Sequence, residues 1–320
     1  MPTLPLWAIS YRNASVSENS YRASDPTCHH GLVPNSVVTA IHQRLSALTP
    51  TERRIAERVL AEPQAVLENS ITRLAEECGV SVASVARFTR SLGFPGYPDL
   101  RIALAGELTR SASERERFQV SAGDVSRHDD AATTVRKIAF AEAEAIERTA
   151  RQLDIAELER CVAVVRGARR IDIYGAASSG LAAQDLEQKL HRAGLVAQAR
   201  TDHHLALTGA ALLDDRDAAI AISHSGRTLE IVQAAEVAAA AGATTIAITN
   251  NPRSPLARAC AHTLVTAVSE STFRSGAMAS RIAQLAVLDF LYTRIAQADY
   301  DRISANLQRT HDAVTAHRID

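Results

Sequence analysis

Residues 219–228 read Ala-Ile-Ala-Ile-Ser-His-Ser-Gly-Arg-Thr, and a pattern with helical spacing follows them. The apolar run is typical of a β-strand that ends at Ser223, so the chain turns from strand to helix within a few residues. Such a turn leaves backbone N–H groups unpaired at the helix start, beside the positive end of the helix dipole. Ser225 and Thr228 add uncharged donors, and Gly226 lets the backbone approach a ligand closely. This stretch therefore predicts a phosphate-binding turn.

The residues around this turn alternate between strand-like and helix-like segments. Strands are predicted at 171–174, 196–199, 218–222, 245–248 and 263–266. Helices are predicted at 131–151, 155–167, 180–193, 204–213, 227–241, 254–259 and 276–297. This alternation is typical of a parallel sheet with helices on both faces. We therefore expect an α/β domain with a five-stranded parallel sheet.

A second strand-to-helix turn lies upstream, where residues 174–180 read Tyr-Gly-Ala-Ala-Ser-Ser-Gly. In an open parallel sheet, ligands bind at the carboxyl ends of the strands, where the strand order reverses. Ser178 and Ser179 can therefore clamp one phosphate together with the hydroxyls of residues 223–228. The alternative is that these hydroxyls only cap helices. For either turn alone, helix capping is a serious alternative to ligand binding, whereas the two turns together favour phosphate binding.

A different pattern precedes this region. Residues 69–94 read Asn-Ser-Ile-Thr-Arg-Leu-Ala-Glu-Glu-Cys-Gly-Val-Ser-Val-Ala-Ser-Val-Ala-Arg-Phe-Thr-Arg-Ser-Leu-Gly-Phe. A short helix begins at Asn69 or Ser70, Gly79 can adopt the left-handed turn that ends it, and Ser81 caps a second helix. The second helix is predicted to bury Val82, Val85, Phe88 and Leu92. Two helices joined by a tight glycine turn are typical of a helix-turn-helix, which enters the DNA major groove.

The exposed face of the second helix is predicted to contact DNA. We assign this role to Ser81, Ala83, Ser84, Arg87 and Arg90, and a phosphate contact to Arg73 on the preceding helix. The helix N-terminus is where base edges and phosphates are usually met, and Arg87 and Arg90 lie one turn apart. Residues 36–110 carry nine arginines and eight carboxylates, a net charge of +1. The alternative is therefore a solvated face on which the arginines form intrahelical ion pairs.

A chain of 320 residues has room for about two domains. Residues 1–35 are aperiodic and predict a flexible leader. Residues 36–110 predict an all-α helix-turn-helix domain, and residues 111–130 a polar linker with a helical start. Residues 131–320 predict the α/β domain.

The composition excludes several classes of protein. The net charge of −1 gives no overall sign of a nucleic-acid partner, although an average can hide a local basic patch. The four cysteines lie far apart, which argues against a zinc site or a disulfide framework and suits a reducing cytoplasm. No apolar run reaches the ~18 residues needed to span a bilayer. We therefore expect a cytoplasmic protein with no metal, no cofactor and no membrane partner.

The C-terminal pattern resembles a known family. Residues 165–295 are similar to a sugar isomerase (SIS) domain, with its signature positions at Gly175, Ser179, Ser223, Ser225, Gly226 and Thr228. The resemblance implies a flavodoxin-like fold that binds phosphosugars. The Ser and Thr residues of the second turn would hold the phosphate, and the serine of the first turn would help to bind the sugar phosphate. The family usually carries a second glycine where this chain has Ala177.

Residues 36–110 resemble the N-terminal DNA-binding domain of the MurR/RpiR transcription regulators. The resemblance is carried by Leu74-Ala75, Gly79-Val80-Ser81, Val85, Arg87-Phe88, Leu92-Gly93-Phe94 and Gly96-Tyr97. A helix-turn-helix followed by a SIS domain is the architecture of that family. The resemblance implies a repressor of carbohydrate metabolism whose repression is relieved when the effector binds. It also implies a homodimer or homotetramer, with helices 230–241 and 276–297 as candidate contact faces.

Two functions remain open for this architecture. The first is a one-component regulator that binds double-stranded operator DNA and senses a phosphosugar effector, without catalysis. The second is a phosphosugar isomerase with an accessory helical domain. An isomerase needs a base that moves a proton between adjacent carbons, and His203, His204, His224 and Glu270 are candidates. The DNA-binding segment favours sensing, and Glu270 is then assigned to binding sugar hydroxyls.

Overall fold

The computed structural model describes residues 36–44, 48–118, 120, 125–268 and 278–315. The predicted leader at residues 1–35 and the predicted effector ligand Glu270 lie outside these described residues.

Six helices form the N-terminal part of the described chain. They are α1 (Val37–Arg44), α2 (Pro50–Ala61), α3 (Pro63–Glu68), α4 (Ile71–Glu77), α5 (Val82–Ser91) and α6 (Tyr97–Phe118). Thr49 and Glu52 start α2 with a reciprocal capping box, and Pro63 begins α3 at the position where a missing N–H costs nothing. The helices enclose one apolar core, which includes Ile41, Ile55, Val59, Leu74, Val85, Phe88, Leu92, Phe94, Leu100 and Leu104.

Helices α4 and α5 form the predicted helix-turn-helix. Ser70 and Ser81 cap the two helices with their hydroxyls. Gly79 joins them at φ +61°, and the amide of Val80 donates to the carbonyl of Ala75. This is the left-handed helix ending in which glycine avoids a steric cost.

The rest of the described chain is an α/β fold. Its elements are α7 (Ala131–Gln152), α8 (Ile155–Gly167), β1 (Ile171–Gly175), α9 (Ala177–Arg192), β2 (Ala197–Arg200), α10 (His203–Ala210), β3 (Ala218–Ile222), α11 (Leu229–Ala240), β4 (Thr244–Thr249), α12 (Pro255–Ala259), β5 (His262–Val265), α13 (Met278–Ala298) and α14 (Tyr300–Thr315). The strands are all parallel, in the order β2-β1-β3-β4-β5. This is the doubly wound, flavodoxin-like order, which confirms the predicted fold class.

Both faces of the sheet are covered. Isoleucines of the central strands, such as Ile173, Ile220 and Ile248, pack with α8, α9, α13 and α14 on one face. The opposite face is lined by small strand residues such as Ala219 and Ala221, and α10, α11 and α12 pack against them. Strand β3 is fully buried, which explains why its sequence is an apolar run rather than an alternating pattern.

Several details differ from the sequence-based expectations. Val82 was predicted to be buried but is 41% exposed. It is the first residue of α5, and the buried residues of this helix begin one turn later, at Val85. The helical start predicted for the linker is not a separate element but the C-terminal part of α6, which continues to Phe118. The separate helix α3 and the C-terminal helix α14 were not predicted.

Candidate functional site

The two hydroxyl-rich turns lie at the point where the strand order reverses. In the β1–β3 pairing, Gly175 lies opposite Ile222, the residue before Ser223. Strand β2 lies on the far side of β1 and β4 on the far side of β3, so the chain winds in opposite directions from this pair. The turns that follow β1 and β3 therefore meet at one edge of the sheet, in the crevice where ligands of such folds bind.

The turn after β3 is closed by its own hydroxyls. The Ser223 Oγ lies 3.0 Å from the Thr228 Oγ1 and accepts from the Gly226 amide at 3.2 Å. The Ser225 hydroxyl accepts from the Arg227 amide at 3.2 Å. Ser223 is buried, whereas Ser225 is exposed and Thr228 is half-buried. Ser223 thus shapes the turn, and Ser225 is the hydroxyl that solvent or a ligand reaches.

The helices that follow the two turns begin without a side-chain cap. Thr228 and Ala176 occupy the N-cap positions of α11 and α9, and neither makes a side-chain cap hydrogen bond. Seven other helices of the described chain do begin with such a cap, namely α2, α4, α5, α7, α8, α10 and α12. Capping therefore does not explain the hydroxyls at the crevice. Uncapped helix starts are the arrangement that binds anions.

Glycines allow the backbone to fold tightly at both turns. Gly226 has φ +62°, and a Cβ there would collide with the Ser254 hydroxyl. A Cβ on Gly175 would collide with the backbone carbonyl of Ser179. Each turn therefore requires glycine at a position next to the hydroxyls, because any side chain would displace the neighbouring segment.

We expect Gly226→Ala to lower the free energy of unfolding by about 2–4 kcal/mol, since it combines a left-handed backbone with a steric collision. Gly167→Ala is the matched control, because a Cβ at the end of α8 meets nothing within 4 Å. The control should be neutral or stabilising by up to about 1 kcal/mol. Urea denaturation of both variants measures the difference, and equal stability would contradict this account of the turn.

The first turn contacts a residue that the sequence analysis missed. The Gln284 side chain lies on α13 and is 1% exposed, and its Nε2 donates to the Ser179 Oγ at 3.1 Å. Ser178 and Ser179 lie in the first turn of α9 and are half-buried. Gln284 lies within the apolar helical pattern of α13, 105 residues after Ser179 in the sequence, so no local signal connects the two residues. A buried glutamine inside that pattern was the available clue.

Ala177 adopts φ +49°, in the left-handed region that favours glycine. We expect Ala177→Gly to raise the free energy of unfolding by about 0.5–1 kcal/mol, because the relieved strain exceeds the added chain entropy. Ala139→Gly, on an exposed position of α7, should instead lower it by about 1 kcal/mol. Thermal denaturation of the two variants measures the sign of each change in the free energy of unfolding. Destabilisation by Ala177→Gly would show that the Ala177 backbone is not strained.

The candidate proton-transfer histidines of the described chain lie on two segments, the start of α10 and the turn after β3. His203 and His204 begin α10, after β2, with ring centroids 6.1 Å apart. The turn before them approaches the first hydroxyl turn, because a Cβ on Gly180 would lie 3.1 Å from the Thr201 methyl. His224 lies in the second turn, and its carbonyl accepts from the Asn250 amide at 2.9 Å.

The opposite end of the sheet holds a different group of polar side chains. Glu157 and Cys161 of α8 and His262 of β5 place their ligand atoms within 4.8 Å of one another. The Glu157 carboxylate is engaged by His262 at 3.1 Å, the Thr263 amide at 3.0 Å and Arg160 at 2.6 Å. Burial raises the pKa of the Cys161 thiol to about 12. These contacts tie α8 to the edge strand β5.

The exposed face of α5 brings four of the predicted DNA contacts together. The Ser84 Oγ lies 2.9 Å from the Ser81 Oγ, and the Arg87 guanidinium donates to Ser84 at 3.1 Å. Ser81, Ala83 and Arg87 are exposed, and Ser84 is half-buried. A polar, cationic surface thus surrounds the N-terminus of α5, the end that reads base edges in helix-turn-helix proteins.

The other predicted arginines have different surroundings. Arg90 is exposed in the last turn of α5. Arg73 makes exposed ion pairs within α4, 3.6 Å from Glu76 and 3.3 Å from Glu77, as the alternative reading expected. Arg54 of α2 was missed: a Cβ on Gly79 would lie 3.7 Å from its guanidinium, so this charge lies beside the turn. The fold, and not the local sequence, brings it there.

Comparisons with known proteins match both halves of the chain. The model of the helix-turn-helix domain, rpiR family, matches residues 35–111, and the SIS domain model matches residues 165–294. An uncharacterized HTH-type transcriptional regulator of Caldanaerobacter subterraneus subsp. tengcongensis is 38% identical over 284 residues, covering 89% of this chain and 99% of that protein. The chain belongs to the RpiR family of transcriptional regulators.

Two solved structures are similar to this RpiR-family regulator. The Vibrio vulnificus NanR protein complexed with ManNAc-6P has a TM-score of 0.55 and 26% identity, covering 88% of this chain and 100% of NanR. The sugar isomerase domain of an RpiR transcription factor from Sphaerobacter thermophilus has a TM-score of 0.50 and 25% identity, covering 55% of this chain and 96% of that structure. Within the described residues, no helix of the regulator is long and apolar enough to cross a bilayer.

Proposed function

We propose that this regulator binds an operator through α4 and α5 and senses a phosphosugar in the crevice between the turns that follow β1 and β3. Residues 36–110 act as the DNA-binding domain, residues 111–130 as the linker and residues 131–320 as the effector domain. The observation that carries the proposal is the pair of uncapped, hydroxyl-rich helix starts at the strand-order reversal. A phosphate would accept hydrogen bonds from both starts.

The proposed effector site consists of Ser178, Ser179, Ser223, Ser225, Gly226 and Thr228, with Gln284 as a positioning residue. Gln284 fixes the hydroxyl of Ser179 from α13. The binding of ManNAc-6P by NanR supports an amino sugar phosphate as the first ligand to test. Glu270, which lies outside the described residues, remains proposed as a ligand for sugar hydroxyls.

On DNA, we propose that Ser81, Ala83, Ser84 and Arg87 meet base edges or phosphates in the major groove, with Arg90, Arg73 and the newly located Arg54 around them. A helix-turn-helix gains affinity and specificity by pairing on two half-sites, so the working form is a homodimer or homotetramer in the cytoplasm. Effector binding changes the placement of the paired domains, and repression is relieved.

The second candidate function is phosphosugar isomerisation. The observation that favours it is the pair His203 and His204 at the same end of the sheet as the hydroxyl turns. We propose sensing without catalysis, because two relatives whose matches each cover 89% of this chain are named as transcriptional regulators. Incubation with a ketose phosphate, followed by detection of the aldose phosphate, distinguishes the two. Turnover that His203→Ala abolishes would establish the enzyme.

The first experiment is a thermal-shift screen of the full-length protein against ManNAc-6P, hexose and pentose phosphates, the unphosphorylated sugars and inorganic phosphate. A ligand that binds only the native state at 100 times its Kd stabilises it by about 2.7 kcal/mol. We expect a phosphosugar to raise the Tm, and its parent sugar to leave the Tm unchanged. A screen in which no phosphorylated compound binds would overturn the proposed function.

A further inference from the structure

Helix α7 contacts both the segment behind the proposed effector site and the helical region that contains α4 and α5. We propose that α7 transmits occupancy of the phosphosugar site to the DNA-binding region, with Thr149 and Arg148 as positioning residues. This inference rests on the proposed function and specifies how that site regulates DNA binding. The described contacts form a connected series of hydrogen bonds, neighbouring residues and one ion pair, from the turn after β3 to α6 and α1 of the helical region.

The connection begins at the turn after β3. The backbone carbonyl of His224 lies between the two serines of this turn, and it accepts from the Asn250 amide at 2.9 Å and from the Thr249 hydroxyl at 3.1 Å. Thr249 ends β4, which neighbours β3, and Asn250 follows it directly. A phosphate that draws the turn towards itself therefore also pulls on the end of β4.

Asn250 extends the connection to the segment that follows β5. Its side-chain amide donates to the Val268 carbonyl at 3.0 Å, and its side-chain oxygen accepts from the Val268 amide at 2.8 Å. Asn250 is 7% exposed and Val268 is 4% exposed. Because both partners are buried, water cannot replace these bonds when one segment moves, and the segments shift together.

Thr149 joins this segment to α7. Its hydroxyl accepts from the Ala267 amide at 3.1 Å, and the side chain is fully buried. One turn earlier, Ala145 packs in a small buried cluster with Val268 and two alanines of α13. Both a hydrogen bond and apolar contacts therefore hold α7 against the end of the sheet.

The residue before Thr149 reaches the helical region. Arg148 lies 2.7 Å from Glu144 on its own helix and 3.5 Å from Glu107 on α6. Glu107 in turn accepts from the Ser36 hydroxyl at 2.8 Å and from the Val37 amide at 3.0 Å, so it caps the start of α1. One guanidinium is thus shared between two carboxylates, and the longer contact is the one that crosses to α6.

This shared guanidinium gives the connection two arrangements. In one, Arg148 bridges Glu107 and Glu144; in the other, a small displacement of α7 leaves it paired with Glu144 alone. The Glu107 side chain is only 6% exposed, so the loss of its cation changes its interaction with α1 rather than being compensated by solvent. Helix α7 also borders a cavity of about 290 Å³ that residues of α1 and α6 line, which leaves room for such a displacement.

The test measures the ratio of the DNA Kd with and without effector. The full-length protein is titrated with a DNA fragment that the wild type selects from a random library, with ManNAc-6P or the phosphosugar found in the screen. Thr149→Val removes the acceptor while keeping the shape, and Thr149→Ser keeps the hydroxyl. Arg148→Met removes the shared cation, and Arg136→Met is the control, an exposed arginine of α7 that donates to Thr133.

We expect the wild type, Thr149→Ser and Arg136→Met to show a ratio of roughly 5–150-fold. Thr149→Val and Arg148→Met should bring the ratio to within about 2-fold of unity, while each ligand alone still binds with near wild-type affinity. Hydrogen exchange gives a second readout: effector should alter protection of the α1 amides in the wild type and not in Thr149→Val.

The outcomes separate the two claims. If the wild type binds no phosphosugar, or its DNA Kd does not respond, the proposed function fails and this inference fails with it. If effector and DNA bind and the ratio survives in both Thr149→Val and Arg148→Met, α7 is not the transmitting element although the function stands. If Thr149→Val does not fold, as judged by circular dichroism, Arg148→Met decides the question alone.

Discussion

Arg87→Ala is expected to weaken operator binding by roughly 10- to 100-fold per half-site while leaving phosphosugar binding unchanged. An arginine that makes a bidentate contact to guanine contributes discrimination on that scale, and the loss should relax specificity at one base position. The structure favours this residue because Arg87 is exposed near the N-terminus of α5 and its guanidinium is already oriented by Ser84. Fluorescence anisotropy with labelled operator DNA measures the change.

The control for Arg87→Ala is Arg309→Ala, which removes the same charge from an exposed position of α14. If both variants lose affinity equally, a general electrostatic effect and not a contact of α5 explains the loss. The salt dependence separates base from phosphate contacts. A phosphate contact would lower the slope of log K against log salt by about 1, with a uniform loss across DNA sequences.

The arginines of the helix-turn-helix illustrate how far local sequence reasoning extends. Periodicity and caps predicted α4, the Gly79 turn and α5, because those signals lie within a few residues of the structure they specify. The ion pairs of Arg73 with Glu76 and Glu77 also follow from helical spacing. The position of Arg54 beside the turn depends on the packing of α2 against α5, which no local pattern records.

The same limit applies to the crevice. The alternation of strand-like and helix-like segments predicted all five strands, and the hydroxyl turns were found because they directly follow β1 and β3. Gln284 was missed, since its partner Ser179 lies 105 residues away in sequence. Helix α14 was missed because its apolar positions are few, with Ile303 as its buried anchor. Long-range pairing, and not propensity, determines both features.

Ser225→Ala should reduce phosphosugar affinity by roughly 10- to 150-fold, and the Ser223→Ala/Ser225→Ala double variant by more. A hydrogen bond to a charged group contributes about 1.5–3 kcal/mol, which corresponds to that range. Ser225 is the exposed hydroxyl of the turn, so its loss removes a donor without disturbing the core. Ser223 also accepts from the Gly226 amide, so Ser223→Ala should lower both affinity and the stability of the turn. Isothermal titration measures the affinities, and urea denaturation the stability.

Ser304→Ala, on α14, is the matched control and should bind the phosphosugar as the wild type does. Operator binding without effector should be unchanged in Ser225→Ala, since this residue lies in the α/β fold and not in the helical region that contains α5. Binding of the unphosphorylated sugar provides the decisive comparison. If Ser225 contacts the phosphate, Ser225→Ala and the wild type should bind the unphosphorylated sugar with the same weak affinity. A variant that loses the sugar and its phosphate in the same proportion would place Ser225 against the sugar ring instead. Full phosphosugar affinity in the variant would show that the Ser225 hydroxyl does not contact the ligand. The uncapped backbone at the start of α11 would then be the anion-binding group of this turn.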